Sequence, residues 1–387
     1  MLNTIFPRHG AVLNRHHGVE NGQSLRITVR GTSTSLAPIL VNGATARREG
    51  RDFAAEVDLT AKFNDIIVTT TGGYGECSQK IRVLWDKKSF PRYNFYIDDH
   101  SFFLTDIAQQ RPKSLFEHFY LGGLRKVHAN YGTKFTLNCF YRNDHHPFLM
   151  TEFPDRYKAE WADNCDWLRL SFHSYSEWPD RPYQDPNPTQ ILADYDLVKR
   201  EIERFAGPQT FIKPPVIHWA VASPEAVSAM ARSGRMTLFC GGFRGAKAAC
   251  DEAIEKGLDP VTSITTLDRA AVSDIGYSRS IDDAIYLYCY KKLYDFELDA
   301  LFFSGSGTCC NLFTKEQIVA NFARSARAPF GNETYGLGSH EQYTFPYYPG
   351  YIPDHLERID TAARQATEIG AKPVYFSEGL LGNHSWE

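Results

Sequence analysis

Residues 93–99 read Tyr93-Asn-Phe-Tyr-Ile-Asp-Asp99. Aromatic and β-branched residues dominate the run, as in a strand of a buried sheet, and two carboxylates close it. Adjacent carboxylates in that place oppose stability, because like charges repel and ionised groups resist losing water. The pair makes chemical sense if one binds a metal ion and the other takes a proton. From about Phe90 onward, short apolar runs alternate with helical patterns, which signals βα units around a parallel sheet. Strands are expected at 93–98, 134–141, 168–173, 214–219, 235–240, 333–339 and 373–377. About seven such strands point to an α/β fold, a (β/α) barrel over residues 89–387, with its chemistry at the C-terminal strand ends.

The intervening helices carry their own signals. Asn187 as cap, Pro188 in the first turn and Gln190 open one helix; Ile191, Tyr195, Val198, Ile202 and Phe205 form its apolar face, and Gly207 ends it. Thr314 and Gln317 form a capping box for another, and a third runs from Pro353 to Gly370. Residues 243–312 are harder to parse, with an insertion or an irregular strand pair around Ile285 to Lys291 expected.

Upstream, residues 1–88 read as all-β. Leu25, Ile27 and Val29 alternate with polar residues, as do Phe53, Ala55, Val57 and Leu59, then Ile81, Val83 and Trp85. With turns at Asn42-Gly43, Glu49-Gly50 and Gly72-Gly73, this predicts a small β-sandwich. The run from Ile39-Leu-Val-Asn-Gly43 through Phe53–Leu59 to Asn64-Asp-Ile-Ile-Val68 resembles the immunoglobulin-like modules attached to carbohydrate-active enzymes.

Bulk composition narrows the function. The chain has 387 residues and a formal net charge of -4, with no long basic run, so it lacks a nucleic-acid footprint. No stretch approaches the ~18 to 20 continuous apolar residues of a membrane span. Residues 1–8 lack the features of a secretory leader, so a cytoplasmic protein is expected unless a leader has been removed. The 8 cysteines show no zinc-ribbon spacing, and a reducing compartment suits them. A homo-oligomer is compatible with the sequence. The 14% aromatic share suits a carbohydrate partner, though it also suits a large core.

Chemistry-bearing residues recur at the expected strand ends. Asp98 and Asp99 end the first strand. His173 ends the third, with Glu177 four residues on. His218 and Trp219 end the fourth, after Lys213-Pro-Pro215, and His340 and Glu341 end a late one. The segment Ser176-Glu-Trp-Pro-Asp-Arg-Pro-Tyr183 is long for a βα loop. Trp178 and Tyr183 suit stacking on a sugar, and Asp180 and Arg181 suit hydroxyls or a uronate. The histidines of Tyr141-Arg-Asn-Asp-His-His146 read as a solvated loop.

Ile97-Asp98-Asp99, His173-Ser174 with Glu177, Lys213-Pro214-Pro215 and Leu337-Gly-Ser-His340 together resemble the motifs of the polysaccharide deacetylase superfamily. Its members share the NodB homology domain of family-four-like carbohydrate esterases. The resemblance spans about 90–380. It implies Asp98 as general base, Asp99 and His173 as ligands of a divalent metal ion, and His340 as general acid. Lys213 falls near the arginine that orients the base in that family. Glu177 stands where the family has a second metal histidine, which shifts preference from zinc toward harder ions such as manganese or magnesium. His218 is the alternative third ligand.

The first functional expectation is therefore a metal-dependent hydrolase removing acetyl groups from a poly- or oligosaccharide, with Trp178, Asp180, Arg181, Tyr183, Trp219 and Lys213 around the substrate. The second keeps the barrel and cleaves a glycosidic bond, by paired carboxylates drawn from Asp98, Glu177 and Glu341 or by elimination from a uronate. The third is a sugar-binding protein without catalysis.

Overall fold

In the computed structural model, residues 2–72, 75–241, 244–264, 281–305, 308–326 and 333–387 are described. Gly73, half of the expected turn at 72–73, lies outside them. The chain forms two units. One comprises Met1–Ser89, Lys292–Glu297 and Asn383–Glu387; the other comprises Phe90–Lys291 and Leu298–Gly382. The first therefore takes in two short segments that the sequence reading assigned to the barrel.

The first unit holds two five-stranded sheets. Alternation decides which face is buried: Leu25, Ile27 and Val29 of strand Leu25–Ser33 are fully buried, and the residues between them are not. Asn42 and Gly43, with φ of 48° and 82°, make the tight turn joining Ile39–Val41 to Ala44–Thr45. Both returning segments are anchored. Tyr294 donates its N–H to Gly10 O at 2.8 Å. Any Cβ at Gly10 would stand 2.5 Å from Tyr294 O, so the position admits only glycine. Trp386 packs edge-on against Trp85 at 5.3 Å between ring centroids and donates its Nε1–H to Trp85 O.

The second unit is built on a parallel sheet in the order Leu168–Ser174, Phe135–Phe140, Arg92–His100, Thr334–His340, Thr308–Cys309. Lys372–Pro373 adds a short pairing at the start of Arg92–His100. Leu238–Gly241 pairs in parallel with Ala300–Ser304. These sheets remain open among the described residues. Side chains pack tightly against the sheet: Tyr96 and Phe303 crowd Gly336, where a Cβ would meet the Phe303 ring at 2.9 Å.

Three expectations take other forms. The strand expected at 373–377 is reduced to the two-residue pairing Lys372–Pro373. At 214–219 there is an irregular segment. Phe211 bridges Leu170, and Pro215 O accepts the Cys240 N–H at 2.7 Å, so the segment lies between the strands at 168–174 and 238–241. Pro214 and Pro215 carry no N–H and cannot complete a ladder there. The expected strand pair around 285–291 is instead the helix Ile281–Tyr290. Asp282 and Asp283 in its first turn suit the positive end of a helix dipole.

Helix Pro188–Ala206 follows its signals closely: Asn187 Oδ1 accepts the Gln190 N–H, and the five expected apolar residues are buried. The capping box of Thr314 and Gln317 opens helix Lys315–Ala326 with both reciprocal bonds, at 2.9 and 3.3 Å. Among the described residues no helix is long and apolar enough to cross a membrane. None of the eight cysteines forms a disulfide.

Candidate metal centre

Regular strand pairing would send Asp98 and Asp99 to opposite faces of the sheet. It breaks at this point. Ile97 pairs with Leu137 and His100 with Cys139, so Asp98 and Asp99 together oppose the single residue Asn138. Such a bulge re-aims side chains. Asp99 also adopts a left-handed backbone, with φ of 66°, a conformation that aspartate tolerates better than most residues. The next strand pair repeats the device: Cys139 pairs with Phe172 and Phe140 with Ser174, leaving His173 on the irregularity. His218 comes from the single helical turn His218–Ala220 that follows the proline segment.

These breaks bring Asp99, His173 and His218 together, all buried. His173 Nε2 lies 3.1 Å from Asp99 Oδ1, His218 Nδ1 lies 3.3 Å from the same oxygen, and the two nitrogens are 3.2 Å apart. Donor atoms bound at about 2.0–2.1 Å in a tetrahedral set stand about 3.3–3.4 Å from one another, so the three fit faces of a zinc-sized ion. Although both nitrogens are within reach, Asp99 Oδ1 has no aligned hydrogen-bond donor. A buried anionic oxygen left in this way fits a shared cation better than a hydrogen-bonded cluster.

Neighbouring groups hold the donors in place. The Glu177 backbone carbonyl lies 3.3 Å from His218 Nε2. A carbonyl only accepts, so Nε2 carries the proton, and in the neutral ring Nδ1 offers its lone pair to the centre. Gln342 Nε2 donates to Asp99 Oδ2 at 3.1 Å, which turns Oδ1 toward the histidines. Phe140 packs against both imidazoles at 5.3 and 4.9 Å. Burial raises the Asp99 carboxyl, but the imidazoles of His173 and His218 and the charge of His340 outweigh it and hold its pKa well below the usual carboxylate range.

Asp98 stands beside the trio. Its Oδ1 accepts from Asn138 Nδ2 at 2.7 Å and lies 4.0 Å from His173 Nδ1. It is in register with His340 on the adjacent strand. His340 Nδ1 is 2.9 Å from Asn311 Oδ1 and 3.7 Å from Cys309 Sγ. Burial pulls the His340 pKa down, but the Cys309 sulfur and the carboxylates of Asp99 and Asp98 push it up to about 10.

Other expected site residues lie elsewhere. The Glu177 carboxylate pairs with His145 Nε2 at 2.5 Å and stays out of the trio; only its carbonyl serves the centre. His145 is thereby more than the solvated loop residue expected. Glu341 is fully buried and accepts the backbone N–H groups of Ser101, Phe102 and Phe103 at 2.8, 2.9 and 2.7 Å, capping helix Phe102–Gln110. Burial pushes its carboxyl up to about 8 against the pull of those three donors. Tyr183 is buried too, with its hydroxyl bonded to Ser174 and Asp194, so its ring offers no face to a sugar. Lys213 is exposed, and the side chain that holds Asp98 is Asn138 instead.

Trp178 and Trp219 are each about half exposed, at 51% and 50%. They follow in sequence the two residues joined by the Glu177–His218 bond, and so flank the centre. The Arg181 guanidinium lies 5.7 Å over the Trp219 ring, and Asp180 is exposed on the same loop.

No protein-family model matches this chain, and no curated protein matches it. Among solved structures, it is similar to a chimeric titin Z1Z2-Z1Z2 tandem functionalized with a GRGDS exogenous peptide from fibronectin. The identity is 11%, the match covers 26% of this chain and 58% of that one, and the TM-score is 0.17. A likeness that low bears on neither fold nor function.

Proposed function

We propose that this protein is a metal-dependent hydrolase that removes acyl groups, most simply acetyl, from a poly- or oligosaccharide. The observation that carries the reading is the convergence of Asp99 Oδ1, His173 Nε2 and His218 Nδ1 at 3.1–3.3 Å, beside a second carboxylate. The parallel sheets of the second unit are read here as one incomplete (β/α) barrel with its mouth at this centre. The donor set of one carboxylate and two imidazoles suits zinc, with manganese as the harder alternative. A divalent ion held there supplies Lewis acidity and lowers the pKa of a bound water.

The chain's own groups divide the proton work. Asp98, fixed by Asn138, takes a proton from the attacking water. His340, protonated at neutral pH, returns one to the departing alkoxide or amine. Burial of Asp98 and His173 keeps bulk water from screening these charges. The indoles of Trp178 and Trp219 offer flat apolar faces for a pyranose, and Arg181 gives that surface a positive edge. The three backbone bonds of Glu341 weigh against its serving as the acid in the paired-carboxylate alternative.

The test is acetate release from a panel of O- and N-acetylated oligosaccharides, with and without chelator, followed by product mass. Loss of acetyl mass that chelator abolishes is expected. Shortened chains, with no acetate released, would sink the reading. Within the active set, Trp219→Ala is expected to raise KM about tenfold, equivalent to about 1.4 kcal/mol, with kcat nearly unchanged. A fall in kcat at constant KM would remove Trp219 from the binding surface.

A further inference from the structure

Asp144 belongs to a run that reads as a solvated loop, yet its side chain is only 8% exposed. Its two carboxylate oxygens have separate partners. Oδ1 accepts from Arg142 Nε at 2.7 Å, and Oδ2 accepts the Trp178 backbone N–H at 2.8 Å. That N–H belongs to the same peptide group as the Glu177 carbonyl, which lies 3.3 Å from His218 Nε2. The group is trans, so its N–H and its C=O point in opposite directions. One planar unit therefore joins a carboxylate to an imidazole, in the order Asp144 Oδ2, Trp178 N–H, Glu177 C=O, His218 Nε2–H. The Glu177 side chain takes no part, because its carboxylate turns to His145. Arg142 steadies the following peptide as well: its Nη2 donates to Ser176 Oγ at 3.3 Å, and Ser176 Oγ donates to Trp178 O at 2.7 Å.

We infer that Asp144 is a positioning residue of the metal centre, acting on His218 through the Glu177–Trp178 peptide. The inference rests on the metal-binding reading of that centre and not on the substrate. Hydrogen bonds in series polarise one another. A charged acceptor on the peptide N–H makes the carbonyl oxygen a stronger acceptor for the His218 Nε2–H. That bond fixes the tautomer and the plane of the ring and leaves Nδ1 more basic toward a cation. A metal histidine is ordinarily held by a carboxylate or by a backbone carbonyl; here the two stand in series. The arrangement also explains how a loop carbonyl keeps its aim. Without Asp144, the peptide at 177–178 is free to turn about its flanking φ and ψ bonds.

The experiment is zinc affinity by calorimetry for the metal-stripped full chain, with Asp144→Ala and Asp144→Asn beside the wild type. Urea unfolding of the same samples shows which variants are folded. Loss of a partner behind a metal ligand typically costs about 10–100-fold in affinity, and that is the loss expected for Asp144→Ala. Asp144→Asn keeps an acceptor for the Trp178 N–H but not the charge, so it should recover most of the affinity and bind about fivefold more weakly than the wild type. A residue that only stabilised the loop would lower the urea midpoint and leave the affinity of the folded protein unchanged. The inference is overturned if folded Asp144→Ala binds zinc within about threefold of the wild type, or if Asp144→Asn binds as weakly as Asp144→Ala. Should Asp144→Ala not fold, Asp144→Asn decides alone, and wild-type affinity in it overturns the inference. A wild type that binds no zinc would sink the metal centre itself, whereas tight wild-type binding with an unaffected Asp144→Ala would sink this inference only.

Discussion

Asp98→Asn is expected to fold, to keep its metal and to lose kcat by about two to four orders of magnitude. A positioned general base contributes about 10²–10⁴-fold, and each tenfold is about 1.4 kcal/mol of barrier. The substitution spares the surroundings, because a carboxamide oxygen at position 98 still accepts the Asn138 Nδ2–H that the carboxylate accepts at 2.7 Å. What it removes is the capacity to take a proton. Asp99→Asn is the contrast: it weakens the donor set itself, so metal content and activity should fall together. The check is kcat and metal per chain for both variants, measured side by side. If Asp98→Asn keeps more than about a tenth of wild-type kcat, Asp98 is not the base.

Glu341→Ala is expected to lower the unfolding free energy by about 3–5 kcal/mol. Helix Phe102–Gln110 has no local cap: Ser101 makes no side-chain bond to the first turn, and the turn holds no acidic residue. Glu341, distant in sequence, supplies the acceptor for three N–H groups. Each buried donor left unmet costs about 1–3 kcal/mol, and the removed side chain leaves a cavity as well. Glu341→Gln keeps one acceptor oxygen and should be intermediate. Urea unfolding reads both. A Glu341→Gln protein with wild-type stability but no activity would return Glu341 to the chemistry.

Residue type and strand-end position are legible in the sequence; the register that aims a side chain is not. Asp99 and His173 stand out at the ends of apolar runs, yet the bulges that bring them to one face depend on partners far along the chain. Glu177 shows how a real spacing misleads. It stands four positions after His173, but it lies on a loop, where that spacing fixes no common face, and it acts through its carbonyl. Asn138 left a usable signal as a polar residue inside the apolar run Phe135-Thr-Leu-Asn-Cys-Phe140. Gln342 left none. The run Ile285-Tyr-Leu-Tyr-Cys-Tyr290 has the β-branched and aromatic residues of a strand, and only the acidic pair before it marks a helix start. Pro214-Pro215 was the clearest warning against a regular fourth strand.

The central claim is that Asp99, His173 and His218 hold the metal and that Glu177 does not. It is tested most directly by zinc titration of the metal-stripped protein in a calorimeter, with Asp99→Ala, His173→Ala, His218→Ala and Glu177→Ala beside the wild type. One zinc per chain is expected for the wild type and for Glu177→Ala, with affinity lost about 100-fold or more in the other three. Tight zinc binding retained in His218→Ala and lost in Glu177→Ala would contradict the assignment.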